Sequence, residues 1–191
     1  MNTVKKTIKL ETIGLSVLVA TFLGGLPVLA GVTESQTRIL LTADRPILRA
    51  GGHIAIDVLV ADVEDLQTFQ VTLDVEGGKR GSLELAQIVI DESRPGYVFG
   101  RGNALDATSV KTREAGAVQL TDSVDVAEPG LLATFLFRAS RDAAGTFTVS
   151  LAGSKHTFLR DADALAIECR TDSTLHVTIV DRAKARKADR Q

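Results

Sequence analysis

The sequence predicts an all-β fold, an antiparallel sandwich of about nine strands. Three observations carry that prediction. Residues 69–76 alternate strictly, with Phe69, Val71, Leu73 and Val75 separated by Gln70, Thr72, Asp74 and Glu76. That is the period-two signature of a half-buried strand. Turn signals recur at short intervals: Gly51-Gly52, Gly77-Gly78, Pro95-Gly96, Pro129-Gly130 and the run 142–145. No stretch of the body carries the period of a long amphipathic helix.

Taken in order, the strands fall at 37–43, 54–63, 69–76, 83–90, 117–121, 131–139, 146–151 and 175–180. A weaker one lies near 107–111, inside the less regular stretch 92–115. In 54–63, Ile54, Ile56, Val58 and Val60 share one face, and Gly51-Gly52 marks the turn before them. Short strands at this spacing point to a sandwich and not to a βαβ fold. Phe69, Phe135 and Phe137 fall on core-facing positions, and Phe147 and Phe158 are placed with them.

The ends read differently. Residues 1–30 have the form of a secretory signal peptide: Lys5, Lys6 and Lys9 make a basic start, and no charge occurs from Ile13 to Ala30. Gly24, Gly25 and Pro27 interrupt the apolar run, and Val28-Leu29-Ala30 supplies small residues before a cut after Ala30. The alternative is a retained anchor, because the charge-free run 13–32 is 20 residues long, about what a transmembrane helix needs. Membrane association is expected through that uncleaved segment alone. The expected organisation is a signal segment at 1–30, a linker at 31–36, one domain at 37–180 and a charged tail at 181–191. The mature product is expected outside the cell or in the periplasm.

Residues 31–180 hold 14 basic and 21 acidic side chains, a net charge of −7. An acidic body argues against nucleic acid, which requires a basic footprint. The tail 181–191 is basic, with Arg182, Lys184, Arg186, Lys187 and Arg190. It reads either as a solvated terminus or as a segment that touches anionic surfaces. Cys169 is the single cysteine, so no intrachain disulfide can form. It reads as a free thiol, a site of intermolecular pairing or a passive strand residue.

His53, His156 and His176 lie far apart, with no zinc-protease helix motif and no nucleophile elbow. The carboxylate pairs Glu64-Asp65, Asp122 with Asp125, and Asp161 with Asp163 sit where turns place solvated acids. Asp161-Ala162-Asp163 reads as a hairpin turn or as a calcium site, although it lacks the further oxygens and the glycine of an EF-hand loop. Gly100-Arg101-Gly102 does not join a strand to a helix, so no phosphate loop is implied. Neither a catalytic residue nor a metal or other cofactor is predicted.

The ordered segments resemble the cohesin family. Residues 61–76 place an acidic turn and a Leu before an alternating strand, Gly116-Ala-Val-Gln-Leu resembles the mid-domain strand, and residues 130–137 match its Gly-x-Leu-Ala-x-x-x-Phe pattern. Residues 159–167 resemble the late hairpin and 175–180 the last strand. In the hairpin Asp163-Ala164 stands where the family usually has Asn-Gly, and residues 77–82 replace an Asp-Pro. The resemblance implies a jelly-roll sandwich that is non-catalytic and binds a protein partner, a dockerin or another, in extracellular polysaccharide degradation. The chain has no dockerin calcium loop of its own. Sugar-binding modules share this superfamily fold, so the alternative is a carbohydrate-binding module. Sugar platforms stack rings on exposed aromatics, and Tyr97 and Phe99 are the aromatics left for one.

Register then suggests a binding face. If 69–76, 117–121 and 131–139 share a sheet, its outward residues include Thr72, Asp74, Gln119, Leu132, Thr134 and Leu136, with Val118 and Leu120 turned to the core. Apolar centres ringed by polar groups are the usual anatomy of a protein interface. The alternative is that the loop 92–115 covers Leu132 and Leu136.

Overall fold

The computed structural model describes residues 36–109 and 113–180. The signal segment 1–30, nearly all of the linker 31–36 and the tail 181–191 lie outside the described residues.

The strands run β1 (Arg38–Thr42), β2 (Ile47–Arg49), β3 (His53–Ala61), β4 (Val63–Leu66), β5 (Thr68–Gly77), β6 (Leu83–Val89) and β7 (Ala104–Ser109). They continue as β8 (Glu114–Gln119), β9 (Val124–Val126), β10 (Gly130–Ala139), β11 (Gly145–Leu151), β12 (Phe158–Arg160), β13 (Ala166–Ile167) and β14 (Thr174–Val180). A smaller sheet has the order β1-β3-β10-β6. A larger one has the order β13-β12-β5-β11-β14-β2, extended by β8 on β5 and β7 on β8. β4 and β9 form a separate ribbon. All pairings between these strands are antiparallel except that of β2 with β14. The predicted sandwich is therefore the observed fold, and the short β2, β4, β9, β12 and β13 add to the expected strands.

The core forms where the inward faces of the two sheets meet. From the smaller sheet come Ile54, Ile56, Val58 and Val60 of β3 with Phe135 and Phe137 of β10; from the larger come Phe69, Val71 and Leu73 of β5 with Phe147, Leu159 and Val177. All these side chains are buried, as the period-two pattern requires. Register pairs Phe135 with Ile56 on one side and Ile88 on the other. Phe158, placed in the core from sequence, is half-buried on the outer side of β12.

Two expectations fail here. Tyr97 and Phe99 are buried. The Phe99 ring lies 5.6 Å from Phe69 and 6.1 Å from Tyr97, centre to centre, so both aromatics join the core and neither supplies a sugar platform. The strand 131–139 also does not share a sheet with the other two. β10 lies in the smaller sheet, whereas β5 and β8 pair in the larger.

Turn chemistry holds the ends. At Gly78, φ is +81° and a Cβ would sit 2.3 Å from the Phe147 ring, so a side chain is excluded on both counts. In the β12–β13 turn the Asp161 carboxylate accepts the N–H groups of Asp163 (3.0 Å) and Leu165 (2.8 Å). This is an Asp-stabilised turn, the hairpin reading of that segment. Ala164 takes φ +62° there, a left-handed position that suits glycine.

Candidate interaction face

The six residues expected on one face are divided among three environments. Thr134 and Leu136 project from the outer side of the smaller sheet, half-buried. Leu132 is the extra residue of a bulge, where Leu131 pairs with Leu59 and Ala133 with Val58. The bulge turns it inward and leaves it 0% exposed. Gln119 is also inward, 6% exposed, with its side-chain carbonyl oxygen lacking a hydrogen-bond partner among the described residues. Asp74 is exposed on the larger sheet. Thr72 points the same way but is 7% exposed, because the 152–157 loop folds against it. Thr72 Oγ1 donates to the His156 carbonyl (3.1 Å), and its N–H reaches Thr157 Oγ1 (3.3 Å).

The parity of β8 is the reverse of that expected. Ala115 and Ala117 are buried opposite Val71 and Phe69, while Val118 and Leu120 are 41% and 61% exposed. Size explains the choice. Ala117 is paired with Phe69, whose ring packs on Phe99, and alanine fits there where valine and leucine would overpack. The two larger aliphatics are left in water.

That exposure defines a continuous surface on β8, β5 and β12. Val118 lies beside Thr68, which lies beside Arg160; in the next row Gly116, Gln70 and Phe158 are neighbours. Since directly paired residues share a face, these six form a patch with Thr68 and Gln70 along its middle strand, Val118 on one side and Phe158 and Arg160 on the other. The Arg160 guanidinium stands 5.1 Å from the centre of the Phe158 ring and donates to the Ala164 carbonyl at 2.9 Å. Gln70 Nε2 donates to the His156 carbonyl (3.3 Å), and His156 Nδ1 lies 3.4 Å from the Glu114 carboxylate. Gly116 adds no side chain next to Gln70. Leu165, on the adjoining turn, is also exposed.

A cleft of about 370 Å³ borders the patch, with Thr157, Phe158, Ile167, Glu168 and Cys169 in its wall. Cys169 is a half-buried thiol. Burial pushes its pKa up, which opposes thiolate formation. No group of three or more His, Cys, Asp or Glu side chains that could hold a metal occurs among the described residues.

The outer side of the smaller sheet is organised differently. The Arg94 guanidinium grips the Asp57 carboxylate through both nitrogens (2.8 and 2.6 Å) and also reaches Thr134 Oγ1 (2.8 Å). Thr134 Oγ1 in turn donates to Asp57 at 2.7 Å. Burial alone would raise the Asp57 pKa. The hydrogen bonds from Arg94 and Thr134, with the Arg94 charge, outweigh burial and hold it below the usual carboxylate range. This node ties the loop after β6 across the middle of the sheet, so a partner would meet a pinned loop there, whereas the β8–β5–β12 patch is open.

Residue types alone conceal the patch. Valine and leucine alternating with alanine and glutamine on β8 argue for the opposite parity. The available signal is volume matching: two alanines at alternate positions suit a strand packed on phenylalanine.

No protein-family model matches the sequence, and no curated protein is significantly similar to it. Solved structures do match. A non-cellulosomal cohesin from Archaeoglobus fulgidus aligns with a TM-score of 0.52 at 14% identity, over 82% of this chain and 100% of the other. The sixth cohesin of Acetivibrio cellulolyticus scaffoldin B, solved in complex with a mutant Cel5 dockerin, gives 0.51 at 14% identity over 75% and 99%. Type II cohesin A11 of Bacteroides cellulosolvens gives 0.53 at 13% identity over 75% and 99%.

Proposed function

From this cohesin-like sandwich we propose that the chain is an exported, non-catalytic module that binds a protein partner through the outer face of β8, β5 and β12. The observation that carries the reading is the exposure of Val118 and Leu120 on the outer face at β8, next to Thr68 and Gln70 of β5. Exposed aliphatic side chains next to polar groups on one face suit a protein interface. The fold supports the partner class, since a structural neighbour was solved with a dockerin bound. A partner of dockerin type is accordingly the first to test, and polysaccharide degradation is the setting proposed for it. Export rests on the signal-like sequence of residues 1–30.

Isothermal titration of the protein with a panel of dockerin modules and, separately, soluble polysaccharides tests the assignment. Saturable binding to one or more dockerins, with no heat from the sugars, is the expected result. Binding to sugars alone would replace the proposal with the carbohydrate-binding alternative.

A further inference from the structure

Charge in the sandwich is segregated along the strand axis. β3 spans nine residues from His53 to Ala61, about 26 Å at the usual rise per residue. The β4–β9 ribbon sits at its Ala61 end. Val63 follows one residue after Ala61, and β9 leads through Glu128 and Pro129 into Gly130, which pairs with Val60. Residues 61–68 and 120–130, which build that end, contain no lysine or arginine. They contribute Glu64, Asp65, Asp122, Asp125 and Glu128, all exposed. Arg38 and Arg170, which border them, are already paired, with Asp62 (2.7 Å) and Asp172 (2.6 Å).

The His53 end carries the opposite sign. Three turns converge there: Ala139 N–H bonds to the Gly52 carbonyl, Ser140 N–H to that of Ser82, and Lys79 N–H to that of Ala144. They gather Arg49, Lys79, Arg80, Arg138 and Arg141, all exposed, against Glu76, Glu84 and Asp142. The Glu84 and Asp142 carboxylates accept hydrogen bonds from the Ser82 and Ser140 hydroxyls, at 2.7 Å each. No ion pair among the described residues engages Arg49, Lys79, Arg138 or Arg141. A positive pole on an acidic body is a local concentration, not a reflection of composition. The two poles lie at opposite ends of β3, so they can meet only between molecules.

We propose that the positive end of one copy of this chain docks on the acidic β4–β9 end of a second copy. The occupant is a second copy because each end carries the charge that complements the other, and complementary potentials steer encounter and fix register. Like ends repel, which disfavours a two-fold pairing of identical ends. A head-to-tail contact joins two different surfaces, so it generates an open chain or a ring of copies in place of a symmetric dimer. The contact stands or falls independently of the partner face on β8, β5 and β12.

The test is sedimentation velocity of the full chain, alone and in pairs of variants. Concentration-dependent association is expected at low salt, falling away by about 0.5 M salt as screening sets in. One variant reverses the acidic end with Glu64→Lys, Asp122→Lys and Glu128→Lys. The other reverses the positive end with Arg49→Glu, Lys79→Glu and Arg141→Glu. With circular dichroism unchanged, each alone should associate about tenfold or more weakly, because like charges then face each other. An equimolar mixture of the two should restore association. Should either fail to fold, glutamine at the same positions replaces it, with the same loss and recovery expected. Residues 1–35 and 181–191 are identical in every chain, so association carried by them would survive in each variant alone. Carbodiimide coupling of the parent, which joins an amine directly to a carboxylate, locates the contact. Lys79 should be linked to Glu64, Asp122 or Glu128, a link that the separation of about 26 Å forbids within one chain. A parent that stays monomeric at low salt overturns the proposal. So does association retained by either variant alone, a mixture that does not recover, or association without the Lys79 link.

Discussion

Replacing Phe135 by alanine probes the sandwich at its centre. The side chain is 0% exposed and lies between Ile56 and Ile88 on paired strands. Removing the ring forfeits its transfer free energy and leaves a cavity that strands paired on both sides cannot close. Buried Phe→Ala changes cost roughly 3–5 kcal/mol, and this position belongs in the upper half of that range. A domain of this size loses about 3 °C of melting temperature per kcal/mol, so the midpoint should fall by about 10–15 °C. Scanning calorimetry or far-UV circular dichroism reads the shift. Leu136→Ala, one residue along on the half-exposed face, is the control and should cost about 1 kcal/mol. A Phe135→Ala midpoint within about 3 °C of the parent would refute the packing described.

Two further predictions concern stability. Asp57 has a folded-state pKa below its unfolded value. Its contribution is therefore present above the ordinary carboxylate pKa of about 4 and is lost as pH falls through the folded value. Arg94→Ala should accordingly destabilise the protein at pH 7, with the gap to the parent narrowing toward about pH 2; a gap independent of pH in urea titrations would contradict the pairing. Ala164 has φ +62°, and Ala164→Gly should raise stability by about 0.5–1 kcal/mol, because relief of left-handed strain exceeds the added unfolded-state entropy. A lower melting midpoint would show the turn to be unstrained.

The long strands were legible because their apolar positions alternate in large side chains: Phe69 to Val75 and Phe135 with Phe137 leave one choice of inward face. β8 was misread because its two registers set alanine and glutamine against valine and leucine, and hydrophobicity favours the wrong one. The deciding term is the volume of the Phe69 and Phe99 rings, which belong to distant parts of the chain. Leu132 was misplaced by a bulge, which shifts parity by one residue and has no mark in the residues 130–133 themselves. Sheet membership was invisible for a different reason. Alternation fixes which residues face inward but not which sheet a strand joins, so β10 was grouped with β5 although the core lies between them. Tyr97 and Phe99, in an irregular stretch, carry no periodicity to show that they are buried.

The proposed interface is tested most directly by comparing two surface variants, one on each sheet, for binding to the dockerin that the titration panel identifies. Val118→Asp places a charge on the exposed aliphatic position of the β8–β5–β12 patch, and Leu136→Asp places one on the opposite sheet. Charge in a desolvated interface centre costs at least about 2 kcal/mol, or about thirtyfold in Kd. With both variants showing native circular dichroism, the account predicts that Val118→Asp weakens binding by about that factor or more and that Leu136→Asp leaves it unchanged. Full binding by Val118→Asp, or loss confined to Leu136→Asp, would contradict it.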